Sequence, residues 1–68
     1  MSVAITVNGE KRELADGTTL RQLVEQLALS VEKVAIECNR RLVRPERLDN
    51  PLTPGDEVEI VTFVGGGY

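Results

Sequence analysis

The residues able to take part in chemistry are few, and the least ordinary of them follow one another. Gly65, Gly66 and Gly67 form a run, and Tyr68 comes after it. Ordering glycines costs roughly 1–2 kcal/mol per residue, so such a run does not pack onto a core. It succeeds a strongly β-branched stretch, and three extended residues reach about 10 Å beyond a folded body. Without a Cβ, a glycine segment can thread a narrow channel and leave its carbonyl open to attack. One reading is therefore a chain end activated inside another protein. The plainer reading is a frayed terminus or an appended remnant. The glycines are no phosphate cradle, because no Gly-Lys-Ser/Thr follows and no helix begins there.

Three further features carry chemical side chains. Cys38 shares a strand face with Val34 and Ile36 and has no His or helix start beside it, so it reads as a buried structural thiol. Arg40, Arg41, Arg44 and Arg47 form a basic cluster in an acidic chain. They are either solvated loop charge or a docking patch for an acidic partner surface. Val61 and Phe63 alternate away from the predicted core face, either as a partner patch or covered by a nearby loop.

Counting excludes much else. There is no His and one Cys, which removes triads, Cys-His pairs, imidazole metal sites and internal disulfides. A net charge of −3 and only two aromatic residues argue against a nucleic-acid binder. With 41% hydrophobic and 28% charged residues, the chain reads as a globular domain rather than a disordered one. No apolar run exceeds three residues, so no membrane span is expected, and the opening residues lack a leader pattern, so the expected location is cytoplasmic. At 68 residues there is room for one small core and no interdomain cleft. A reaction here uses the backbone or a terminus, or is performed by a partner.

The elements that must position these residues can be read from period and punctuation. Val3 to Val7 alternates and is β-branched, predicting a strand with Val3, Ile5 and Val7 on one face. Asn8-Gly9 predicts a type I′ hairpin turn into a polar edge strand, Glu10 to Leu14. Thr19 and Gln22 predict a capping box. Leu20, Leu23, Val24 and Leu27 then make one helical stripe, ending near Ala28 or Leu29. A helix that short is unstable alone and must lie on a sheet. Val34 to Asn39 predicts a third strand, Asn39-Arg40 a turn, Arg41 to Val43 a short extended piece and Glu46 to Leu48 a tight turn. Glu57 to Val64 predicts the last strand, with Val58, Ile60, Thr62 and Val64 inward.

This order, β-β-α-β-(β)-β, predicts an α+β fold of the β-grasp type. Its mixed sheet has four or five strands, with one helix packed on one face. The predicted division is a domain over 1–64 and a flexible glycine-rich tail over 65–68. The proline-rich stretch from 45 to 54 leaves no room for the second helix of a ferredoxin-like fold.

The ordered set of motifs resembles the ThiS-type sulfur carriers of thiamine biosynthesis. It comprises the strand before Asn8-Gly9, Asp16-Gly17-Thr18-Thr19-Leu20, Val34-Ala35-Ile36-Glu37-Cys38-Asn39, Arg44-Pro45, the stretch Pro54-Gly55-Asp56-Glu57-Val58-Glu59-Ile60-Val61 and the glycines. The resemblance implies a ubiquitin-like β-grasp domain that is a co-substrate rather than an enzyme and binds no cofactor of its own. An E1-like, ThiF-type adenylyltransferase would use ATP and magnesium to adenylate a terminal glycine carboxylate. A persulfide donor would convert it to a thiocarboxylate, and a ThiG-type thiazole synthase would accept the sulfur. By position, Gly66 and Gly67 are the functional pair, Gly67 carries the thiocarboxylate and Gly65 belongs to the tail. Val61 and Phe63 would centre the partner surface, with Arg41 and Arg44 at its rim. The family ends on Gly-Gly, and Tyr68 departs from that. Related carriers serving cysteine, methionine or secondary metabolites lose short extensions to a metallopeptidase, which would make Tyr68 a removable cap. A ubiquitin-like modifier joined through Gly67 is the remaining alternative.

Overall fold

A computed structural model describes residues 1–63. Five strands form one sheet: β1 (Ser2–Val7), β2 (Glu10–Ala15), β3 (Val34–Cys38), β4 (Arg41–Leu42) and β5 (Glu57–Thr62). Their spatial order is β2-β1-β5-β3-β4, with β1 and β5 parallel and every other pair antiparallel. One helix, α1 (Leu20–Gln26), packs on one face. A mixed sheet that places the first and last strands side by side under a single helix is the β-grasp arrangement the pattern predicts.

Alternation decides which face is buried. Val3, Ile5 and Val7 of β1, Val58 and Ile60 of β5 and Ile36 of β3 all point to the helix side. Against them sit Leu20, Leu23 and Val24 of α1, the last two at 0% exposure. Truncating either to Ala would cost about 2–5 kcal/mol. That is comparable to the few kcal/mol that a core of this size supplies in total.

The helix starts as predicted. Thr19 Oγ1 accepts from Gln22 N at 3.1 Å, and Thr19 N donates to Gln22 Oε1 at 3.0 Å. It stops earlier than the stripe suggests. Ala28 adopts φ 62, its N–H donates to Glu25 O at 3.0 Å, and Leu29 N donates to Val24 O at 3.0 Å. This is a Schellman ending built without the usual glycine, so Leu27 caps the helix rather than extending it. The third strand likewise ends at Cys38, one residue early, because Asn39 takes φ 54 in the turn. The last strand ends at Thr62, and the predicted inward position of Val64 lies outside the described residues.

Two hairpins share one turn geometry. Val7 pairs with Glu10 around Asn8 (φ 51) and Gly9 (φ 84), and Cys38 pairs with Arg41 around Asn39 (φ 54) and Arg40 (φ 69). A type I′ turn needs positive φ at both central residues. The first turn meets that need with glycine. The second holds an arginine there, at a steric cost of about 1 kcal/mol.

The stretch from 45 to 54 is more than a connector. After a 3₁₀ turn at Pro45–Arg47, Leu48 and Leu52 are buried in the main core. Arg21 N donates to Leu48 O at 3.0 Å, and Leu52 N donates to Thr18 O at 2.8 Å. The segment is thereby tied to the helix start.

Asp56 closes the turn into β5. Its carboxylate accepts from Thr53 N at 2.9 Å, Thr53 Oγ1 at 2.8 Å and Asn39 Nδ2 at 3.0 Å. Burial would raise its pKa, but these bonds and the Cys38 thiol together hold it below the usual carboxylate value. A depressed folded-state pKa adds stability that is complete above the unfolded value, about 3.9, and is lost as pH falls through the folded one. Asp56→Asn should lower stability at pH 7 by roughly 1 kcal/mol, allowing for solvent screening. It should also flatten the decline below about pH 4. Urea unfolding midpoints of both proteins across that range check this, and parallel declines would exclude Asp56 as a source.

Candidate functional site

Gly65, Gly66 and Gly67 come soon after β5 in the sequence, so the end of β5 is the part of the described body nearest to them along the chain. β5 is held on both sides almost to its end. Toward β3, Val61 pairs with Ala35, Thr62 with Val34, and Phe63 N donates to Lys33 O at 3.0 Å. Toward β1, the paired register stops at Val7↔Val58. Asn8 N donates to Val58 O at 2.8 Å, and the Asn8 side chain then extends the ladder by one step. Its Oδ1 accepts from Ile60 N at 2.7 Å and its Nδ2 donates to Ile60 O at 3.2 Å. A side-chain amide carries the same donor and acceptor as a peptide group, so it substitutes for a strand residue here. Gly65, Gly66, Gly67 and Tyr68 lie outside the described residues.

Val61 and Phe63 occupy the sheet face away from α1, at 61% and 50% exposure. Among the described residues, no loop covers them. Leu42, 70% exposed, shares this face through its pairing with Glu37, which in turn pairs with Glu59. The sequence reading missed Leu42. Its signal was the alternation that places it opposite to Arg41 once the Asn39-Arg40 turn is fixed.

The arginines do not rim this patch. Arg41 pairs with Cys38, whose side chain packs against the main core, so Arg41 leans to the helix side. With Arg44 and Arg47 it lines a groove of about 610 Å³ between β4 and the 45–54 segment. Val61 and Phe63 lie on the other face and toward the other end of β5. The expectation of one surface joining Val61, Phe63, Arg41 and Arg44 therefore meets two separate surfaces, because strand alternation sends the two sets to opposite sides.

Cys38 is half-buried rather than enclosed, a correction to its expected place in the core. It sits where β3 reaches its end, so one side of the thiol opens to the groove. Burial, then the Asp56 charge and a hydrogen bond to that carboxylate, push its pKa up. A thiol kept protonated is a poor nucleophile. Among the described residues, no group of three or more His, Cys, Asp or Glu could hold a metal ion, and no helix is long and apolar enough to cross a membrane.

Comparison with known proteins agrees with this geometry. A family model described as the ThiS family matches residues 5–67. The sulfur carrier protein ThiS of Thermus thermophilus is 36% identical over 64 residues, covering 93% of this chain and 98% of that protein. A thiazole synthase of Magnetococcus marinus is 41% identical over 64 residues, which span 93% of this chain but 20% of that protein. The crystal structure of the thiamine biosynthesis protein ThiS from Geobacter metallireducens superposes with a TM-score of 0.71 at 31% identity, covering 96% of this chain and all of that one. Fold, motif order and near-complete coverage coincide: the chain belongs to the ThiS family.

Proposed function

We propose that this protein carries sulfur as a thiocarboxylate on Gly67 and delivers it for thiazole formation in thiamine biosynthesis. The observation that carries this reading is the reach of the family match, which runs from residue 5 to residue 67 and stops at Gly67. The Thermus relative named a sulfur carrier is covered almost completely, which supports the same role here. The thiazole synthase relatives contain a region like this chain within a larger protein, which supports a thiazole synthase as the sulfur acceptor.

The chemistry follows from the state of a terminal carboxylate. Ionised at neutral pH, it is a poor electrophile. An E1-like partner would use ATP and magnesium to join it to AMP, with pyrophosphate leaving. A donor persulfide would then displace AMP from the acyl carbon, and cleavage of the S–S bond by a thiol would leave the thiocarboxylate. This chain supplies a Cβ-free approach through Gly65 and Gly66 and a rigid base in β5. From Phe63 to Gly67 the reach is at most about 14 Å. Val61 and Phe63 give the activating partner an apolar surface to grip beside that exit.

Tyr68 follows Gly67, so the Gly67–Tyr68 bond must be cut, by a peptidase, before a Gly67 carboxylate exists. A chain ending at Gly67 should support ATP–pyrophosphate exchange with its activating enzyme, and a chain retaining Tyr68 should not. Reactive geometry tolerates errors far smaller than the roughly 3.5 Å that one residue adds. Sulfur gained by an uncut chain at Tyr68, read by mass spectrometry, would overturn the assignment of Gly67.

Phe63→Ala should weaken binding to the activating enzyme roughly tenfold or more, the scale of a hot-spot aromatic. Because Phe63 is half exposed, its melting temperature should barely move, and a large drop would place Phe63 in the core instead. Cys38→Ser should fold a little less stably and still accept sulfur at Gly67. Loss of loading in a fully folded Cys38→Ser protein would give the thiol a role in transfer.

A further inference from the structure

The groove on the helix side has no part in the reading above, and it is unusual in its charge. Four of the chain's eight cationic residues fall between positions 40 and 47 of a protein with net charge −3. Arg41, Arg44 and Arg47 line the groove, and Leu20, Val43 and Leu52 supply apolar lining. The one ion pair among the described residues is Arg21–Asp49, at 2.8 Å, so none of the groove arginines is neutralised by a neighbour. Asp56 also borders the groove, but its oxygens are occupied by Thr53 and Asn39. Beside the groove, Arg40 stands at φ 69 in a turn position that the other hairpin fills with Gly9. A fourth cation is thus kept where glycine would be less strained, which indicates a use for the charge.

We propose that this groove docks an acidic, extended segment of a partner protein, with carboxylates on Arg41, Arg44 and Arg47 and an apolar side chain between them on the half-buried Val43, above the buried Leu20 and Leu52. Guanidinium forks suit carboxylates because two parallel N–H donors meet two oxygens. A nucleic acid is disfavoured, since the remaining surface is net negative and would repel a phosphate chain. The groove lies on the helix side, while Val61 and Phe63 lie on the open sheet face, so both surfaces can be occupied at once. The protein can then be held by one partner while another works on its chain end. The inference stands on the groove alone and does not depend on sulfur carriage.

The test is titration of the isotope-labelled full chain with a blocked heptapeptide, Glu-Asp-Glu-Leu-Glu-Asp-Glu, followed by amide NMR. Shifts should cluster at Arg41 to Arg47 and Leu52 and spare Val61 to Phe63. Arg41→Gln with Arg44→Gln should weaken binding roughly tenfold with an unchanged melting temperature, and raising salt from about 50 to 200 mM should weaken it several-fold. Arg40→Gly separates charge from structure, because it should raise the melting temperature yet weaken binding. No shifts at millimolar peptide, equal binding of the Gln/Asn version of the peptide, or the same shifts from inorganic phosphate alone would overturn the proposal.

Discussion

The parallel seam between β1 and β5 is the constraint on which the remaining structure depends. It joins residues about fifty positions apart through a short ladder that includes Gly55 N to Ala4 O at 2.8 Å, Thr6 N to Asp56 O at 3.0 Å, Asn8 N to Val58 O at 2.8 Å and the two contacts of the Asn8 amide with Ile60. Without it the sheet would fall into two antiparallel units, β1–β2 and β3–β4–β5, neither of which could bury the helix stripe alone. Such a long-range pairing must overcome loop-closure entropy before it contributes anything. Asn8 therefore does two jobs. Its backbone turns the first hairpin at positive φ, and its amide fastens that turn to the last strand at Ile60.

The core built on this seam is small, and it uses the irregular segments as fully as the regular ones. A seven-residue helix has too few internal bonds to persist in water. Its Leu23 and Val24 are held by the sheet beneath, while Leu48 and Leu52 close the core from the 45–54 segment. Backbone bonds from Arg21 to Leu48 and from Leu52 to Thr18 fix that segment against the helix start. Its far side then becomes one wall of the arginine groove. The packing that completes the core thus also shapes a surface concavity.

Period and punctuation made the strands, the Asn8-Gly9 turn and the Thr19–Gln22 capping box legible in the sequence, because each rests on local sterics or local hydrogen bonds. The helix end was less legible, since Ala28 adopts a conformation that glycine usually announces. Leu48, at the end of the tight turn predicted over Glu46 to Leu48, and Leu52 belong to no periodic run, and only the tertiary contact reveals their burial. The two exposed surfaces were half legible. Alternation along β5 correctly left Val61 and Phe63 exposed, but the face to which Arg41 turns follows only when the Asn39-Arg40 turn is carried through to a Cys38–Arg41 pairing and on to the face that Cys38 shares with the core. The same pairing sends Leu42 to the open face, while Arg47 reaches the groove from the 3₁₀ turn at Pro45–Arg47.

The perturbed groups among the described residues owe their shifts to burial, turn closure and one ion pair. A catalytic centre gathers groups whose proton affinities are shifted by one another around the reacting atom. Here Cys38 is shifted by burial and then by Asp56, Asp56 is held down by the hydrogen bonds that close its turn, and Arg21 and Asp49 are shifted by their own ion pair. Cys38 is level with Val58, so this cluster lies about five strand residues, roughly 17 Å, from Phe63 at the other end of β5. Around Val61 to Phe63 the described chain offers exposed apolar side chains and a tightly bonded strand. A body arranged this way contributes position. Its Phe63 N–H on Lys33 O and the Asn8 amide on Ile60 fix where residue 63 stands at the end of the sheet.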